Sequence, residues 1–122
     1  MNEHEEIEAG GIDAETVARL KSEHGNELVL ALGPHGPLVF KKPSAPVWAR
    51  FQNDSNDDKS TPNGVLKQLA MSCLVYPCDE DTRRPDQAAL ATAFTDKPGL
   101  PAVIAAALSE LAGVDKNLVK KL

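Results

Sequence analysis

The sequence predicts an α+β fold that is mostly helical, with four to six helices and one small β-hairpin near residues 27–41. Aromatic residues make up only 4% of the chain, so the core must rest on Leu, Val and Ala, which favours helix packing. Beyond residue 60 the apolar residues recur at helical spacing between capping and breaking signals. Before that, two short apolar runs flank "GPHGP", whose glycines and prolines force a reversal.

In chain order, "GIDAETVARLKSEHG" has helix start and stop signals: Asp13 can cap, Ile12 and Val17 can form a hydrophobic staple, and Gly25 follows the last turn. Only Val17 and Leu20 supply an apolar stripe, which predicts a surface helix. Leu28–Leu32 and Leu38–Phe40 read as the arms of the hairpin, with a loop of four or five residues between them. Prolines cannot donate ladder hydrogen bonds, so Pro34 and Pro37 belong at the strand ends. A lone hairpin is unstable, so its apolar face must pack on helices.

"APVWARFQND" predicts a short helix with Pro46 near its start, presenting Val47, Trp48 and Phe51. The next stretch, "NDSNDDKSTPNG", is a polar linker. Asp54, Asn56 and Asp58 alternate as calcium ligands do, but Lys59 stands where the loop needs Gly and Val65 where it needs a bidentate Glu. Ser60 or Thr61 then caps a helix that Pro62 opens, with Val65, Leu66, Leu69, Cys73 and Tyr76 at helical spacing up to Pro77. Leu90 and Phe94 mark another helix, closed by Lys97-Pro98-Gly99. A third carries Val103, Ile104, Ala107, Leu108 and Leu111 on one face, with Gly113 as its C-cap. A short last helix is expected from Asp115, using Leu118, Val119 and Leu122.

The 122 residues fit one globular domain over 12–122, made of the hairpin and a helical part over 46–122, behind an acidic tail of residues 1–11. Residues 1–30 hold eight acids against Arg19 and Lys21, and the rest of the chain is nearly balanced. No basic face can be assembled from this composition, so phosphate-driven nucleic-acid binding is not expected. No apolar run approaches the roughly 18 residues that cross a membrane. The acidic start lacks an apolar segment of the secretory type, which points to the cytoplasm.

Chemistry-bearing motifs are thin. Cys73 and Cys78 are the only cysteines; a zinc site needs about four ligands and a thioredoxin-type motif needs C-x-x-C. Cys73 reads as a small buried residue and Cys78 as a loop cysteine. His35 reads as a turn residue, and "DEDTRRPD" as a solvated charge cluster. No phosphate loop or catalytic constellation is present, so neither an enzyme nor a cofactor is expected.

Read in order, the segments carry a further pattern. A hairpin ending in "LVFKKPS" leads into "APVWARF"; a polar loop precedes "LKQLAMSCLVYP"; and the chain closes with "KPGLPAVIAAALSELAG". Over residues 27–113, about two-thirds of the chain, this resembles the tail assembly chaperones of long-tailed phages and prophages. Trp48 stands where a charged residue is common in that family. The resemblance implies a non-enzymatic helical factor that coats the tape-measure protein, keeps it soluble and lets tail tube subunits polymerise around it, with self-association as a further possibility. It also raises a programmed frameshift, for which Lys120-Lys121 offers a slippery codon pair. A holdase needs apolar surface for its client and net charge for its own solubility. The expected client surface is Trp48, Phe51, Leu69, Cys73 and Tyr76, each of which also fits a core position. Two other readings remain open: an acidic immunity or inhibitor protein that blocks a basic partner, and a structural head–tail completion protein of the virion.

Overall fold

The computed structural model describes residues 11–113. Among them are five helices, α1 (Ala14–His24), α2 (Ala45–Ser55), α3 (Pro62–Cys73), α4 (Gln87–Asp96) and α5 (Leu100–Leu111). Three strands, β1 (Leu28–Gly33), β2 (Gly36–Lys41) and β3 (Leu74–Tyr76), form an antiparallel sheet in the order β1-β2-β3. The fold is thus α+β and mostly helical. The last expected helix, the Lys120-Lys121 pair and all of the acidic tail but Gly11 lie outside the described residues.

Local chemistry sets the helix starts. The Asp13 carboxylate accepts from the Thr16 amide at 2.8 Å, the Ser44 hydroxyl from Val47 at 3.3 Å, Thr61 from Gly64 at 3.1 Å and Asp86 from Ala89 at 3.1 Å. Each side chain satisfies an amide that the first helical turn leaves unpaired. Gly113 follows α5 at a φ of 99°, where a side chain would strain the backbone.

The hairpin is tighter than the sequence predicts. Gly33 pairs with Gly36, so the loop is Pro34-His35 alone rather than four or five residues. Both glycines are required: a Cβ on Gly33 would meet the Gly36 carbonyl oxygen at 2.9 Å, and Gly36 has a φ of 141°. Pro37 sits at the second position of β2, opposite Leu32.

The larger correction is β3. The helix expected to run to Tyr76 stops at Cys73, and Leu74–Tyr76 continue as a strand paired with β2. Pro77 explains the change, because the residue before a proline is driven out of the helical region. The pairing Val39↔Tyr76 and Phe40↔Leu74 contains a bulge that gives Val75 its own place in the packing.

Alternation along β2 divides the core. Leu38 and Phe40 point into a cluster with Leu74 of β3 and with Leu69, Cys73, Leu90, Phe94, Ile104 and Leu108 from the helices. Val39 points the other way, into a smaller cluster with Val75 and with Ile12 and Leu20 from the α1 side. Leu20 is 1% exposed, so α1 is a cover for the second face of the sheet as well as a surface helix. On α5 the buried stripe is Pro101, Ile104, Ala105 and Leu108; Val103, expected to face inward, is 66% exposed.

Candidate partner-binding surface

The five residues expected at a client surface do not share one face. Leu69 and Cys73 lie on the inner side of α3 at 2% and 0% exposure, and they have almost no area to present. Tyr76 leaves the helix for β3 and packs, half-buried, against the smaller cluster with Val39 and Val75. Trp48 and Phe51 remain together on α2. Their ring centroids are 5.1 Å apart, a separation at which aromatic pairs attract, and their planes are tilted by 39°.

How α2 is attached gives this pair its character. Ser44 and Pro46 start the helix, and Val47, Trp48 and Phe51 fall on one side of it. All three pack against the larger cluster, yet α2 is the only one of the five helices without a fully buried residue. Trp48 and Phe51 therefore keep part of their ring surface in water. Beside Val47 and Phe51, at the cleft between α2 and α3, Arg50 and Asp54 make a water-accessible ion pair of 3.7 Å, which contributes little to stability. Sequence reasoning could not have separated Trp48 and Phe51 from Leu69 and Cys73, because all four fit the same helical periodicity.

The remaining chemistry is local. The Cys73 thiol is pushed up to about 11 by burial, partly opposed by the charge of Lys41. Cys78 is half-buried beyond the helix, and both cysteines are free. In the "DEDTRRPD" turn, the Asp79 carboxylate accepts from the Asp81 and Thr82 amides at 2.8 and 3.0 Å, which holds its pKa below the ordinary value. Arg83 reaches across to Glu23 of α1 at 3.3 Å. The charges expected to form a solvated cluster thus also tie the turn to α1.

His35 at the hairpin tip is hydrogen-bonded through Nε2 to the Asp96 carboxylate at the end of α4. A cleft of about 220 Å³ opens beside it, lined by Pro37, Tyr76, Pro77, Ala89 and Ala93. Both His35 and Asp96 are exposed, so their contact ties the turn to the helix rather than forming an enclosed polar site. No group of three or more His, Cys, Asp or Glu among the described residues could hold a metal ion. No described helix is long and apolar enough to cross a membrane. The chain matches no family model, no curated protein and no solved structure.

Proposed function

We propose that this chain is a non-enzymatic assembly factor of long-tailed phages, a cytoplasmic chaperone that holds a tape-measure protein soluble until tail tube subunits close around it. The order of segments over residues 27–113 supports the reading: hairpin, aromatic helix, polar linker, a helix whose last turn passes into the strand Leu74–Tyr76 before Pro77, and a closing Ala-rich helix. The single observation that carries it is α2, whose apolar side is only half covered by the body and displays Trp48 and Phe51. A helical client can lay an i, i+3, i+4 ridge against such a face. The net charge of −5 favours solubility while the face is unoccupied.

The test is co-expression with the large helix-rich protein encoded downstream, with both frame products supplied. The client becomes soluble and co-purifies if the reading is right, and the Trp48→Ala/Phe51→Ala double variant loses it while keeping a cooperative melt. A client that stays insoluble and unbound removes the reading. An acidic inhibitor remains the rival because the N-terminal segment is so strongly charged. Deleting residues 1–26 cannot separate the two, since Ile12 and Leu20 belong to the core. Replacing Glu3, Glu5, Glu6 and Glu8 with Gln does separate them. Chaperone binding survives that change, whereas inhibitor binding weakens and loses its salt dependence.

A further inference from the structure

The free edge of the sheet carries its own message. With the order β1-β2-β3, β1 is an edge strand, and among the described residues no strand pairs with its outer side. Gly33↔Gly36 closes a two-residue turn, and antiparallel pairs alternate between hydrogen-bonded and non-hydrogen-bonded. The bonded pairs are then Gly33↔Gly36, Ala31↔Leu38 and Val29↔Phe40. Pro37, which has no amide hydrogen, falls in the non-bonded set opposite Leu32. The backbone N–H and C=O groups of Leu28, Leu30 and Leu32 therefore point away from β2, along the open edge.

The same three residues share a face. They lie on the Val39 side of the sheet, where α1 covers Leu28 but leaves Leu30 at 42% and Leu32 at 65% exposure. Natural edge strands are blunted by Lys, Pro, bulges or inward charges; "LVLALG" has none of these. Its Leu-x-Leu-x-Leu pattern is also symmetric about Leu30.

We propose that β1 pairs antiparallel with β1 of a second copy of this chain, about a two-fold axis through Leu30, joining two three-stranded sheets into one of six strands. In that register Leu28 meets Leu32 of the second copy and Leu30 meets its own counterpart. All three outward-pointing residues become hydrogen-bonded pairs, and six leucines form one stripe on a single face. Glu27 comes opposite Gly33 of the other copy, so no like charges meet at the ends of the strand. This symmetry favours a second copy over an unrelated extended peptide: β1 itself supplies both the backbone pattern and the apolar partner that β1 needs. The contact is limited to one strand from each side, which is small for a permanent interface, so the dimer forms with rising concentration.

Sedimentation velocity of the full chain over a micromolar to near-millimolar series tests this. A monomer–dimer equilibrium is expected, and Leu30→Lys weakens it by about tenfold or more by setting like charges face to face. A circular dichroism melt of that variant, matching the parent, excludes misfolding as the cause. Independently, Leu30→Cys in a Cys78→Ser background is joined to a covalent dimer by a short bifunctional thiol reagent, because a hydrogen-bonded antiparallel pair sets the facing Cα atoms only about 5.5 Å apart. Val103→Cys, more exposed than Leu30 but on α5, does not cross-link. A monomer across the whole series overturns the proposal. So does a dimer that Leu30→Lys leaves intact, or one that cross-links through Val103→Cys instead.

Discussion

Cys73 and Cys78 stand five residues apart in sequence, and the fold gives them unlike surroundings. Cys73 is sealed on the inner side of α3 with its thiol pushed up to about 11 by burial, so at pH 8 only roughly a thousandth of it is thiolate. A thiol reagent added to the native protein at pH 8 should therefore label one cysteine, Cys78, and label both once the chain is denatured. Two labels on the native protein would mean that α3 opens readily. Titratable residues give a second prediction. His24 is held below 6.5 chiefly by burial, helped by Lys41 and opposed by Glu23. Its neutral form suits the fold, so this contribution is complete above pH 6.5 and lost as pH falls from there through the folded value. Asp13 works lower in pH. Hydrogen bonds from Thr16 hold its carboxyl below 3.8, so its contribution is present above 3.8 and lost as pH falls through the lower folded value. Denaturant midpoints measured against pH should show two limbs, and His24→Asn should flatten the upper one only.

At the scale of elements, α2 and α3 differ in how they are held. Helix α3 buries Val65, Leu69, Ala70 and Cys73, whereas α2 buries nothing completely. Elements with few buried contacts open at lower free energy, so amide exchange in α2 should run ahead of exchange in α3 and α4. Equal protection across the three would remove the basis for an accessible Trp48–Phe51 face. The start of α3 rests on one hydroxyl. Thr61→Ala should lower stability by about 1 kcal/mol, with Thr61→Ser keeping most of it, as read from denaturant midpoints. Much of this layer was legible in the sequence. Asp13, Thr61, Pro62 and Gly113 announced their helix ends, and the apolar runs around "GPHGP" announced the hairpin. Strand β3 was not read, because Leu69, Cys73 and Tyr76 continue a helical spacing at i, i+4 and i+7. The contrary signal was the apolar "LVY" triplet directly before Pro77. On α5 Ile104 and Leu108 are buried and Leu111 packs on the core as the sequence predicts, but the edge of the face differs: in "AVIAAAL" nearly every position is apolar, and periodicity cannot choose between Val103 and Ala105. The half-covered state of α2 was not legible either, since exposure depends on how far a helix settles onto its neighbours.

Across the whole molecule, β2 is where the two halves of the core meet. Phe40 is fully buried in the larger cluster, and its neighbour Val39 is buried in the smaller one. Every helix depends on that strand, directly or through the cluster it joins, so the chain should unfold as one unit. Trp48, the only tryptophan, reports on the larger cluster by fluorescence, while far-ultraviolet circular dichroism reports on all the helices, α1 included. The two transitions should coincide. Phe40→Ala should cost about 3–5 kcal/mol, a large share of the roughly 5–15 kcal/mol that domains have. Val39→Ala should cost less, about 2 kcal/mol, and yet shift both probes together despite acting on the α1 side. Removing residues 1–26 is the harsher form of the same experiment. It takes away Ile12 and Leu20, bares Val39 and Val75, and should yield a chain that aggregates or melts well below the parent. If that truncated chain instead melts like the parent, α1 is an appendage, and the smaller cluster contributes nothing to holding the sheet.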